Sequence, residues 1–109
     1  MISTQMLKGM LEGVILIIIE KNETYGYEIS EMLSRYGFGM ISEGTIYPIL
    51  LRLEKNNCIK ATYRQSSSGP KRKYFSITEE GKMKIKEFED SYLAMTEAVD
   101  QVIGGREHE

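Results

Sequence analysis

Tryptophan is absent from this 109-residue chain, cysteine and histidine occur once each, and proline only twice. Each scarcity excludes something. A lone Cys58 rules out an intrachain disulfide and suits a reducing cytoplasm. Zinc-ligand spacing is missing, and no Cys–His pair is plausible, because Cys58 adjoins an apolar strand and His108 lies in the C-terminal tail. The many Ser and Thr hydroxyls lack a candidate base. An enzyme is therefore not expected, nor is a cofactor or a metal. Long apolar runs are missing as well. The longest, Val14–Ile19, has six residues, against the roughly 20 that a bilayer span needs. No signal peptide with a small-residue cleavage site opens the chain. A cytoplasmic protein with no membrane partner is the expectation.

What remains reads as one globular domain with a modest core, at 41% hydrophobic and 28% charged residues. The net charge of −2 argues against a polyanion partner until it is divided along the chain. Between Ser42 and Phe75 stand seven Lys/Arg and two acids, a local +5, leaving −7 for the rest. A basic middle between acidic ends can steer one surface toward a polyanion.

The basic middle opens with SEGTIYPILLRLEKNN, Ser42–Asn57. Ser42 is a good N-cap. Ile46, Ile49, Leu50 and Leu53 recur at the helical period and define a buried face. The opposite face carries Gly44, Thr45, Pro48, Leu51, Arg52 and Lys55, with Tyr47 on its flank. Pro48 cannot donate to the carbonyl of Gly44, so a distorted or loosely 3₁₀ first turn is expected.

Upstream, Met6–Glu20 is expected to be one helix, apolar on more than one side, with a buried strand over Val14–Ile19 as the alternative. Lys21–Thr24 reads as a loop. Gly26 and Tyr27 open a short helix with Ile29, Met32 and Leu33 inward, ending near Tyr36 before Gly37 as a left-handed cap. A short helix, a Gly-containing connection and a second helix form a helix-turn-helix. Asn56 and Asn57 end that second helix. Ile59, Ala61 and Tyr63 then alternate with Lys60, Thr62 and Arg64; a link of turn-formers, Gln65–Pro70, leads to Lys71-Arg72-Lys73 and the strand through Tyr74, Phe75 and Ile77. Such a hairpin behind a recognition helix is a wing.

Thr78 is an N-cap, with Glu79 and Glu80 in the first turn. Ile85, Phe88, Tyr92, Met95, Val99 and Val102 follow at spacings 3, 4, 3, 4, 3. Such a helix of about 25 residues, roughly 37 Å long, outlasts the domain it leaves. Its seam is expected to meet a second copy of the chain, and Gly104-Gly105 are expected to end it. The fold class is thus mainly α with a small β-hairpin, a winged helix-turn-helix plus a long C-terminal dimerisation helix. Residues 1–77 form the DNA-binding part, 78–105 the dimerisation helix and 106–109 a flexible tail.

Three segments together resemble the PadR family of bacterial transcriptional regulators: LKGMLEGVILIIIEKNETYGYEISEML (Leu7–Leu33), EGTIYPILLRLEKNNCI (Glu43–Ile59) and GPKRKYFSITEEG (Gly69–Gly81). The length resembles the short branch, with one helix after the wing. The resemblance implies a homodimeric repressor that binds double-stranded DNA. Its first and last helices would form the interface, adding Leu11 and Ile15 to the seam of Phe88, Tyr92, Met95, Val99 and Val102. Carried over by position, DNA contacts fall on Ser42, Thr45 and Tyr47, with Pro48 shaping the turn and Lys71, Arg72 and Lys73 on the wing. Leu51 stands where related sequences usually carry a polar residue, and is not expected to read DNA. Some short members stack planar drugs on a tryptophan that this chain lacks. Phe88 and Tyr92, with Met95 beside them, are the weaker substitutes for a small apolar or aromatic effector. The competing reading is a winged helix used only for protein contact, which predicts salt-insensitive binding to a partner.

Overall fold

The computed structural model of the chain describes residues 2–107. In order they form α1 (Thr4–Lys8), α2 (Leu11–Lys21), α3 (Gly26–Arg35), α4 (Glu43–Lys55), β1 (Ile59–Arg64), β2 (Arg72–Ile77) and α5 (Glu79–Glu107). The two strands pair antiparallel from Ile59 opposite Ile77 to Arg64 opposite Arg72. This is a winged helix-turn-helix with a long helix running on from the wing.

Local chemistry sets most of the boundaries. Ser42 caps α4 by accepting a hydrogen bond from the Thr45 amide at 3.3 Å. After α3, the Phe38 amide donates to Leu33 and Gly37 to Ser34, with Gly37 at φ +100°. After α4, Cys58 donates to Leu53 and Asn57 to Glu54, with Asn57 at φ 64°. Both are Schellman endings, which satisfy orphan carbonyls through one left-handed residue. At the start of α5, Thr78 Oγ1 donates to the Cys58 carbonyl at 2.9 Å and accepts from the Gly81 amide at 3.0 Å.

Four details depart from the sequence reading. The first helix is broken: α1 stops at Gly9, and α2 restarts after Met10, whose amide donates to the Leu7 carbonyl. Glycine at this point weakens helix propagation. Thr24 is not loop; it exchanges both backbone hydrogen bonds with Phe75 and acts as a one-residue third strand beside the wing. The first turn of α4, expected to be distorted or loosely 3₁₀, is α-helical from Glu43. The loosening is confined to its cap, where the Ser42 carbonyl accepts from the Thr45 amide at i to i−3 spacing as well as from the Ile46 amide. Finally, α5 continues through Gly104 and Gly105 to Glu107. Once an apolar helix is under way, glycine costs only about 1 kcal/mol each. The remainder of the expected tail, with His108, lies outside the described residues.

The core is built from Leu7, Leu11, Ile15, Leu16, Ile18 and Ile19 of the first two helices, against Ile29, Leu33, Ile46, Leu50, Leu53, Ile59, Phe75 and Ile85. Val14–Ile19 is thus helical, buried on several sides. Two glycines permit close approach to α5. A β-carbon on Gly13 would lie 2.3 Å from the Phe88 ring, and one on Gly81 would lie 2.2 Å from the Cys58 carbonyl oxygen. The principal extents of 59 × 28 × 20 Å reflect the length of α5, which leaves the domain behind after its first turns.

Candidate nucleic-acid interface

The buried and exposed faces of α4 divide as its period demands. Ile46, Leu50 and Leu53 are buried, whereas Ser42, Thr45, Tyr47, Pro48, Leu51 and Lys55 are exposed. Ser42 Oγ and Thr45 Oγ1 lie 3.2 Å apart, so the two hydroxyls share a hydrogen bond at the start of the helix. Arg52 is not free on this face. Its Nε and Nη2 both donate to Glu12 Oε2, at 3.1 and 3.0 Å, and tie α4 to α2.

The three adjacent cations of the wing have three different fates. Lys71 is exposed and makes no ion pair or side-chain hydrogen bond with any described residue. Arg72 is exposed but held: its Nη1 donates to the Tyr25 hydroxyl at 3.1 Å, and its guanidinium lies 4.7 Å from the centre of that ring. Lys73 corrects the sequence reading. Its ammonium donates to Glu54 Oε1 at 2.9 Å, lies over the Phe75 ring and has a side chain only 17% exposed. The hydrogen bond to Glu54 raises its pKa above the ordinary 10.5, against the opposing effect of burial. Its charge locks the wing to α4 and is not presented to a polyanion.

Arg64 stands opposite Arg72 across the hairpin, and the two like charges are separated by aromatics. Arg64 pairs with Glu23 and lies 4.8 Å from the Tyr74 ring centre. Tyr74 in turn packs on Tyr25, with ring centres 5.1 Å apart. Between this cluster and α4 runs a cleft of about 590 Å³, lined among others by Tyr25, Tyr27, Tyr47, Tyr63, Lys71 and Arg72. The helix face, the wing cations and a row of phenols therefore border one groove. Sequence reasoning found Tyr47 and the cations but not Tyr25, Tyr27 or Tyr63. For Tyr25 there was no local signal, since its partner Arg72 is 47 residues away. Tyr27 was detectable as an aromatic off the Ile29–Leu33 core face.

The predicted dimer residues split into two groups. Ile15 is fully buried and Leu11 nearly so within a single protomer, because both face the helix-turn-helix core. They therefore offer no surface to a partner, which corrects their placement in an interface. Phe88 is half-buried against Gly13, with its ring centre 6.3 Å from that of Tyr92. Tyr92, Met95, Val99 and Val102 are all exposed. A second shallow hollow on α5, lined by Leu93, Thr96, Glu97, Asp100 and Gln101, carries two carboxylates and suits no phosphate.

A helix-turn-helix with an exposed second helix and a cationic hairpin beside it defines the winged-helix class of DNA-binding proteins. Comparison with known proteins narrows the class. Residues 15–87 match the family described as the Transcriptional regulator PadR-like family. The crystal structure of a PadR-like transcriptional regulator from Bacillus cereus is similar at 48% identity and TM-score 0.83, covering 92% of this chain and 97% of that one. A Streptococcus transcriptional regulator is similar at 43% identity and TM-score 0.80, covering 92% of this chain and 98% of its own. The transcriptional regulator Rv3488 of Mycobacterium tuberculosis is 32% identical over 80% of this chain and 77% of its own length. The chain belongs to the PadR-like family of transcriptional regulators, which are DNA-binding regulators and not enzymes. No helix among the described residues is long and apolar enough to cross a membrane.

Proposed function

We propose that the chain is a cytoplasmic homodimeric repressor, binding an inverted-repeat operator through α4 and the wing. Residues 1–77 supply the DNA-binding unit and 78–105 the dimer contact. The observation that carries this reading is the shared groove, where the exposed face of α4 borders the cations Lys71 and Arg72. Lys71 and Arg72 displace counterions from phosphates and supply affinity that does not depend on sequence. Ser42, Thr45 and Tyr47 approach base edges from the N-terminal half of α4, which Pro48 stiffens.

Two copies joined along Tyr92, Met95, Val99 and Val102 would set their α4 helices about 34 Å apart, one turn of the duplex. A small apolar or aromatic effector entering between the two α5 helices would meet Tyr92 and Met95, with Phe88 at its inner edge. It releases DNA only by binding one arrangement of the helices better than the other.

The test is titration of the purified protein onto the DNA upstream of its own gene, beside a random duplex, over a range of salt. Tight, salt-steep binding with preference for the upstream DNA is expected. Salt-insensitive binding, or none to either duplex, would overturn the reading.

A further inference from the structure

The centre of the exposed face of α4 holds almost nothing that can hydrogen-bond a base. Gly44, Pro48, Leu51 and Lys55 follow one another up that face at helical spacing, all exposed. Pro48 lies three residues before Leu51 and Tyr47 four before it, so the three side chains share one patch. Leu51 keeps 49% of its surface open and Tyr47 44%. The polar groups that flank this patch lie at the start of the helix or are held by another element. Ser42 and Thr45 bond each other and the helix cap, and Arg52 is held twice by Glu12. Glu43 turns toward the first turn of α3, with Oε1 3.7 Å from where a Gly26 β-carbon would stand. Side-chain pairing to guanine or adenine needs donors, and of these four residues only Lys55, at the far end of the stripe, carries one.

What proline and leucine can sense in a major groove is the 5-methyl group of thymine. The surroundings select DNA over an apolar protein partner, since Lys55, Lys71 and Arg72 are exposed around the patch. We propose that Pro48 and Leu51 read thymine methyl groups, so that each operator half-site carries thymines beneath the middle of α4. Leu51 then becomes a specificity residue, against the expectation that its position does not read DNA. The proposal rests on the DNA-binding reading above and names the chemistry by which its helix discriminates.

The experiment compares the upstream DNA with the same fragment amplified from uracil-containing primers with dUTP in place of dTTP, which removes every thymine methyl and keeps every base pair. The wild-type chain should lose about fourfold in affinity for each methyl buried, hence about fifteenfold for one in each half-site. Leu51→Ala, at an exposed position that leaves the core untouched, should bind thymine DNA more weakly and lose most of the difference between the two fragments. Lys71→Ala should weaken both fragments alike and keep their ratio. Salt-steep binding with equal affinity for the two fragments overturns this proposal alone, as does a Leu51→Ala variant that keeps the wild-type ratio. Salt-insensitive binding, or no binding to either fragment, overturns the DNA-binding reading as well.

Discussion

Lys71, Arg72 and Lys73 stand side by side in the sequence, yet each has a different neighbour in space. Lys71 faces solvent, Arg72 rests on Tyr25 and Lys73 donates to Glu54. Lys71→Ala should therefore weaken binding to specific and random duplexes equally, and flatten the slope of log affinity against log salt by roughly one, read by titration at several salt concentrations. Lys73→Ala should leave that slope in place and lower thermal stability instead, because it releases Glu54 and loosens the hairpin from α4. The pH dependence follows from the raised pKa. A lysine held above its ordinary 10.5 contributes fully below that value and loses its contribution as pH climbs through the higher folded pKa. Melting curves should thus show no loss from this pair near neutrality, and a loss absent from Lys73→Ala above 10.5. The sequence displayed three cations but not their division of labour. Glu54 is 19 residues from Lys73, and only the register of β1 on β2 brings the two together.

At the scale of single elements, what was legible depended on how local the cause is. The caps at Ser42, Gly37, Asn57 and Thr78 act within a few residues, and each could be read from side-chain chemistry alone. Thr24 pairs with Phe75, 51 positions later in the numbering, and no neighbour of Thr24 announces it. In the sequence Gly81 is no more than a residue that weakens a helix turn. Its use is a close approach, because a β-carbon there would meet the Cys58 backbone oxygen at 2.2 Å. Backbone cannot retreat as a flexible side chain can. Gly81→Ala should accordingly destabilise the protein by about 1–3 kcal/mol through overpacking, measured by urea denaturation, although alanine is the better helix former. The candidate site shows the same divide. Its α4 face followed from a 3.6-residue period, whereas Tyr25 joined it through contacts with β2 that span the chain.

For the whole molecule the decisive element is α5, because it is long out of proportion to the domain. A compact chain of this size has a radius of gyration near 13 Å, while this one measures 16.2 Å. The excess is helix extending past the core. Its first apolar positions are satisfied within the protomer, Ile85 in the core and Phe88 on Gly13. From Tyr92 onward the same heptad positions are bare, over about 15 Å of helix to Val102. A repeat that keeps its register after leaving its own core suits a second apolar surface, and in the proposed homodimer that surface is a second α5. Met95 is 62% exposed in the single chain, so replacing it with glutamate leaves the protomer's packing intact. In a dimer the same carboxylate would be buried near its symmetry mate without a partner. Met95→Glu should therefore convert the protein to monomers in sedimentation experiments, without loss of helix content by circular dichroism. Operator affinity should fall toward that of a single half-site, because the two α4 helices no longer bind as one unit. Lys71 is untouched, so weak salt-dependent binding to any duplex should persist. A Met95→Glu protein that remained dimeric with full operator affinity would place the dimer contact elsewhere than this seam.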